Sequence, residues 1–342
     1  MMYLPFADVY MNLPALVLAG VCTGLLSGVF GVSAAFLLTP LLHALGFPMT
    51  YAVGTTLTCL FGRAVLTTVK NNALHHVHWK LGILTGATSA VSIYLGKTFL
   101  LSSWETGAAD TAAGVLYMVV LSGACLFMLW GEARHKRPDG LMNTYARVSS
   151  FAEKVRGINL TPMIHLSSGG GKSISFWFLA ALGTVTGLLS GLLGLSGSSV
   201  RLPALVFFAG LPVIPALCTD ILATLITTGA GSAVFAISGQ AEIVAAMVLL
   251  LCSSVGSAIG HWAVRHVNRA GLKLAFKVQV AAVLAGVVLT QLGYPALAVV
   301  MSLGPVLLMS ATGVLGATLA ILRANRPAVG FPIAKKIISG EE

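Results

Sequence analysis

The sequence predicts an all-α polytopic membrane protein of two inverted repeats. Each repeat is a broken or re-entrant helical hairpin followed by three transmembrane helices, and one extra helix closes the chain. Three observations carry this. Of 342 residues, 57% are hydrophobic and only 9% are charged, and the mean hydropathy is +0.92; soluble domains carry about 25% charged residues. Whole windows of about 20 residues hold no charge, which is the length of a transmembrane helix. A segment also recurs: G-L-L-S-G-V-F-G-V-S-A-A-F-L-L-T-P, from Gly24 to Pro40, returns as G-L-L-S-G-L-L-G-L-S-G-S-S-V-R-L-P, from Gly187 to Pro203.

At this constant offset of 163, eight positions match: Gly24/Gly187, Leu25/Leu188, Leu26/Leu189, Ser27/Ser190, Gly28/Gly191, Gly31/Gly194, Ser33/Ser196 and Pro40/Pro203. Each copy sits in an apolar run. Each has too many glycines for an uninterrupted helix, since an interior glycine costs about 1 kcal/mol relative to alanine. Breakers at matching places in two hydrophobic halves mark the substrate site of a secondary transporter.

The elements follow in order. The first repeat, 1–131, has apolar runs at 11–31 and 33–46, the latter ending at Gly46-Phe47-Pro48, then spans at 50–69, 81–101 and 109–131. A polar, basic linker covers 132–174. The second repeat, 175–292, has runs at 175–194 and 198–211, then spans at 214–237, 241–262 and 272–292. An extra span lies within 293–322, and 323–342 is a basic tail. The runs 33–46 and 198–211 hold 14 residues each. At 1.5 Å per residue that is about 21 Å, short of a hydrocarbon core of about 30 Å. Each therefore pairs with the run before it as a hairpin that turns at membrane depth, where protein or a watery cavity must satisfy the backbone.

Charge sets the orientation. The linker carries seven basic residues against three acids, which makes it cytoplasmic. Arg265, Arg269 and Lys273, the tail's Arg323, Arg326, Lys335 and Lys336, and Lys70 and Lys80 all fall on that side if both hairpins return to the side they came from. The N-terminus is then outside and the C-terminus inside, and the two halves are inverted copies. No secretory signal is read ahead of the first span. The same placement of Lys and Arg at the ends of apolar runs turns the net charge of +10 away from nucleic acid. Five separate cysteines without C-x-x-C spacing read as buried thiols.

Several motifs are set aside on chemical grounds. Ser168 to Ser173, S-G-G-G-K-S, lacks the glycine a phosphate loop needs at position 166, and no strand is read before it. His75, His76 and His78 have no cysteine or carboxylate nearby, so no metal site is expected. Residues 143–155 read as a surface amphipathic helix or a solvated linker. Gly194-Leu-Ser-Gly197 resembles the motif of an intramembrane serine hydrolase, but that needs a histidine base within reach of Ser196, and the later histidines lie at span ends. Hydrolysis stays as an alternative, as does a passive anion channel.

The intramembrane charges are the sharper signals. Arg201 stands four residues after Gly197, Asp220 early in span 214–237 and Arg63 inside span 50–69. At an offset of 164, Thr56 aligns with Asp220 and Arg63 with Thr227. Thr56, Cys59, Arg63 and Thr67 share one helix face, and Asp220, Thr224 and Thr227 or Thr228 share its counterpart. Two related polar faces suggest one cavity. Arg201 and Asp220 are either a structural pair or a ligand contact with a proton-coupling carboxylate; Arg63 either lines the site or snorkels. Helix N-termini at the hairpin tips, glycine backbone, Ser and Thr hydroxyls and arginine forks favour a small oxyanion. The expected site is Ser33, Ala34, Thr55, Thr56, Arg63, Ser196, Gly197, Ser198, Ser199, Arg201 and Thr219, with Asp220 for coupling.

The paired G-L-L-S-G-x-x-G-V/L-S…P segments, each followed by a Gly-x-Pro turn and then A-V-G-T-T (52–56) or A-L-C-T-D (216–220), resemble the TauE/SafE sulfite exporter family, also called the toluene sulfonate uptake permease family. The resemblance implies a multi-span carrier in the bacterial cytoplasmic membrane for sulfite, an organosulfonate such as sulfoacetate, or a related anion. It implies no enzyme activity and no cofactor. The partners expected are that anion, the lipid bilayer, protons as a candidate coupling ion and a second copy as a candidate homodimer. The family's first tip carries a run of glycines where this chain has Ser33-Ala34-Ala35.

Overall fold

The computed structural model describes residues 2–5, 8–30, 35–70, 77–105, 114–120, 122–123, 163–165, 173–207, 211, 213–264 and 269–308. The helices are α1 (Leu13–Phe30), α2 (Ala35–Ala44), α3 (Met49–Lys70), α4 (Trp79–Glu105), α5 (Phe176–Leu193), α6 (Ser198–Phe207), α7 (Val213–Ile237), α8 (Ile243–Val264) and α9 (Arg269–Gln291). A helix α10 covers Pro295–Leu308, and residues 114–120 are helical. Their order matches the spans read from the sequence. The protein is an all-α polytopic membrane protein. Among the described residues, five helices are long and apolar enough to cross a membrane: Leu13–Phe30, Met49–Val69, Phe176–Leu193, Ile214–Ile237 and Ile243–Trp262.

Polar side chains are buried among apolar ones, and large apolar side chains also cover the outside. Thr85, Ser89, Thr186 and Ser190 have no exposed surface, whereas Val91 and Leu251 are 69% and 70% exposed. Apolar side chains face outward because lipid gives no hydrophobic gain for burying them, so close packing and polar contacts hold the helices together. This explains α4, which runs longer than the predicted 81–101 and is less apolar than α5 and α7, the helices it packs on. Of its polar side chains, Thr85, Ser89, Ser92 and Lys97 are buried, in the helix that packs on α5 and α7.

The repeat glycines do not break their helices as the sequence suggested. Gly24 and Gly28 lie inside α1, and Gly187 and Gly191 inside α5. They are contact points. Gly20, Gly24 and Gly28 meet Cys252, Ser253 and Ser257 of α8 in ascending order, so α1 and α8 run parallel. Gly183, Gly187 and Gly191 meet Thr88, Ser89 and Ile93 of α4 in the same way. A Cβ added to Gly24 would stand 2.6 Å from the Ser253 Cα, and one on Gly187 2.7 Å from the Ser89 Cα. Only glycine lets these backbones approach so closely. Ser89 and Ser253, like Gly24 and Gly187, are equivalent positions of the two halves. The first helix of each half thus packs on the fourth helix of the other.

Similar contacts fix the remaining directions. Gly54 and Gly62 meet Gln240 and Leu250, so α3 runs with α8; Gly82 and Gly86 meet Leu222 and Ile226, so α4 runs with α7. Gly231 meets Leu57 and Gly229 meets Phe61, so α3 and α7 are antiparallel. Helices α1, α3 and α8 therefore point one way, and α4, α5 and α7 the other. Because α1 and α3 point the same way, α2 brings the chain back between them, and α6 does so between α5 and α7.

Two short hairpins precede the first helices of the halves. Met2–Leu4 pairs with Val9–Met11, and Met163–His165 pairs with Ser173–Ser175, both antiparallel. The second corrects the reading that no strand precedes S-G-G-G-K-S. The strand Met163–His165 does, and it turns back on itself into the strand that leads to α5. The phosphate-loop pattern still fails at Leu166. Residues 143–155, His75, His76 and the tail 323–342 lie outside the described residues, as do 124–131 and most of the linker.

Candidate functional site

The second hairpin tip is built by two glycines. Helix α5 ends at Gly194, whose φ of +70° closes the helix, with its N–H donating to the Ser190 carbonyl at 2.9 Å. Gly197 has φ +75°. Other residues pay roughly 1–2 kcal/mol to adopt such angles. Helix α6 then starts. Its first intrahelical bonds run from the Val200 and Arg201 N–H groups to the Gly197 carbonyl, which leaves the Ser198 and Ser199 N–H groups at the helix N-terminus. Ser196 and Ser198 are buried with their hydroxyls 2.6 Å apart, and Ser199 is exposed.

This tip is seated against the first half. A Cβ on Gly194 would lie 2.6 Å from the Thr39 Oγ1 of α2 and 3.3 Å from the Val53 Cα of α3. The buried Tyr117 donates its hydroxyl to the Leu193 carbonyl and holds the end of α5. Thr39 and Thr56 are both fully buried; the Thr39 hydroxyl lies against the Tyr117 hydroxyl, whereas the Thr56 hydroxyl has no hydrogen-bond partner among the described residues. That is unusual here. Thr23, Thr85, Thr186, Thr219, Thr227 and Thr228 all donate to the carbonyl one turn back. A buried hydroxyl without a partner costs about 1–3 kcal/mol. Thr56 lies one turn along α3 from Val53.

Arg201 is completely buried. Its Nε donates to the Asp220 Oδ1 at 2.7 Å, one Nη to the Thr224 Oγ1 at 2.6 Å, and longer contacts reach the Thr227 Oγ1 at 3.4 Å and the Asp220 carbonyl at 3.5 Å. Arg201 and Asp220 thus form a buried ion pair. The Arg201 charge is balanced within its own half.

Arg63 differs. It is half-buried, and its Nη2 donates to the Ser27 Oγ of α1 at 2.6 Å. The two polar stripes do not face each other. The α3–α7 contact is made by Leu57, Thr58 and Phe61 with Gly229, Gly231 and Ser232. The stripe on α3 turns through Arg63 toward α1, and that on α7 turns through Asp220 toward α6.

Thr55 and Thr219 occupy equivalent places. The Thr55 hydroxyl accepts the Glu242 N–H at the start of α8, and the Thr219 hydroxyl accepts the His78 N–H at the start of α4, both at 3.1 Å. Each anchors a helix start of the opposite half. Ser33 and Ala34 lie outside the described residues. Ser196, Gly197, Ser198 and Ser199 come together at the tip.

Sequence reasoning missed Thr39, Tyr117 and Lys97. Lys97 is buried, donates to the Val234 carbonyl at 2.9 Å and to the Ser238 hydroxyl, and lies 5.6 Å from the Phe235 ring centre. It satisfies the last turn of α7. The signal was legible, because Lys97 is the only charged residue between Lys80 and Glu105. Thr39 and Tyr117 carry no such mark.

A helical chain with several spans, one short helix of which turns back at buried glycines, defines a polytopic membrane protein. The sulfite exporter TauE/SafE family matches residues 16–289, and the chain belongs to that family. It is also similar to a probable membrane transporter protein of Methanocaldococcus jannaschii, 26% identical over 202 residues, covering 56% of this chain and 61% of that protein. The alignment thus spans less than two thirds of the relative's length. No solved structure matches.

Proposed function

We propose that the protein is a secondary carrier of a small sulfur-containing anion, sulfite or an organosulfonate, held beside the second hairpin tip and exposed alternately to the two sides. The observation that carries this is the second hairpin tip, seated against α2 and α3, which presents the Ser196 and Ser198 hydroxyls and the Ser198 and Ser199 N–H groups, with the buried Thr56 hydroxyl, partnerless among the described residues, one turn along α3 from that contact. All are neutral hydrogen-bond donors, which suit oxyanion oxygens. Arg201 and Asp220 hold the shape of the second half. The test is a thermal-shift screen of purified protein with sulfite, thiosulfate, taurine and sulfoacetate against acetate and chloride. A ligand that prefers the folded state raises the melting temperature. The reading requires a shift by at least one sulfur anion that acetate and chloride do not give.

Alternating access follows from inverted repeats, and the opposed directions of α3 and α7 support that arrangement. The orientation is N-terminus outside and C-terminus cytoplasmic, in a bacterial inner membrane. Ser238→Cys and Lys80→Cys lie near opposite ends of α4 and are expected to divide. In a cysteine-free background, an impermeant maleimide added to intact cells should label position 238 and reach position 80 only after permeabilisation. Labelling of position 80 from outside would overturn the orientation.

A further inference from the structure

The two halves balance charge differently. On α7 the stripe Asp220, Thr224 and Thr227 gathers the Arg201 guanidinium into a closed pair. The equivalent positions of α3 are Thr56, Leu60 and Arg63. A guanidinium is present in both halves, but the carboxylate in one alone. Among the described residues, Asp220 is the one acid inside a helix away from its ends. Arg63 has the Ser27 hydroxyl as its bonding partner and no carboxylate within ion-pair distance among the described residues. Where the second half has Asp220, the first has the buried and unbonded Thr56 hydroxyl. Thr56 and Arg63 are seven residues apart, about 10 Å along the helix. Arg201 bridges the same separation in the other half, from Asp220 to Thr227.

An unpaired guanidinium at membrane depth is costly and usually functional. We propose that the transported anion takes, in the first half, the place that the Asp220 carboxylate takes in the second, held by Arg63 and Thr56. This rests on the anion-carrier reading and narrows it. One guanidinium balances one charge, and a second negative charge would be left uncompensated in a low-dielectric site. The substrate class is therefore a monoanion: a sulfonate, or the singly charged form of an oxyanion.

The test uses two tetrahedral anions that differ in charge, methanesulfonate and sulfate. Their binding to purified full-length protein is measured by titration calorimetry at neutral pH. Methanesulfonate is expected to bind at least tenfold tighter than sulfate. Arg63→Gln should weaken methanesulfonate at least tenfold, and Arg63→Lys should keep part of the affinity. Thr56→Asp supplies the missing carboxylate. It should fold with a melting temperature at or above wild type and lose methanesulfonate binding, so it decides the matter even if Arg63→Gln does not fold. Sulfate binding as tight as methanesulfonate, or wild-type methanesulfonate affinity in folded Arg63→Gln or Thr56→Asp, overturns the inference and leaves the carrier reading intact. If folded wild-type protein binds neither these two nor any sulfur anion of the screen above, the carrier reading itself falls and takes the inference with it.

Discussion

Asp220→Ala protein is expected to melt far below wild type, or not to accumulate at all. The substitution leaves the Arg201 guanidinium fully buried with two threonine hydroxyls, the Asp220 carboxylate that took its Nε–H being gone. Removing one member of a buried pair costs about 3–5 kcal/mol, because the other charge stays buried and uncompensated. Arg201→Met should cost a similar amount for the mirrored reason. The double variant, Arg201→Met with Asp220→Leu, should recover most of the loss, since replacing a whole buried pair with apolar groups is often neutral or better. Melting in detergent, followed by size-exclusion recovery after heating, measures all three. Single variants as stable as wild type would mean that the pair does not hold the fold. A double variant no better than the singles would mean that the two residues act separately.

The second large effect is expected at the helix crossings. Gly24→Leu and Gly187→Leu should each prevent stable folding, and to the same degree, because the two sites are equivalent. A Cβ alone would stand 2.6 or 2.7 Å from a backbone Cα of the facing helix, so the clash is with main chain that no rotamer change relieves. Overpacking of this kind costs about 1–3 kcal/mol and more where the backbone cannot shift. Gly304→Ala is the control. A Cβ there meets nothing within 4 Å among the described residues, so the change should be neutral or stabilise by up to about 1 kcal/mol through helix propensity. Folded Gly24→Leu with an unchanged melting temperature would show that α1 and α8 are not locked through this glycine face.

Composition alone dictated a membrane protein, because so few charges leave no soluble surface. Apolar run lengths placed nearly every helix, since a bilayer demands a minimum length and tolerates little polarity within it. The offset of 163 or 164 marks two related halves in the sequence and aligns Arg63 with Thr227 and Thr56 with Asp220. The break after Gly191 was legible as well, for a turn needs glycines in left-handed conformations and Gly194 and Gly197 supply them.

What the sequence could not decide is what each residue faces. A glycine in a helix reads as a flaw when the cost is counted along one strand of chain, and Gly24 and Gly187 were read that way. Their purpose lies in a partner helix about 100 or about 230 residues distant, where the missing side chain lets two backbones meet. The roles of the charges stay open in the sequence for the same reason. Arg201, Arg63 and Asp220 stood out equally in the sequence, since any ionised group is conspicuous in an apolar span. Whether a guanidinium is neutralised or left with a single hydroxyl depends on which side chains surround it, and those come from other helices. Only the packing closes Arg201 onto Asp220 and leaves Arg63 on Ser27. Periodicity is local and can be read along the chain; compensation of charge and close approach of backbone join distant segments, and tertiary structure alone decides them.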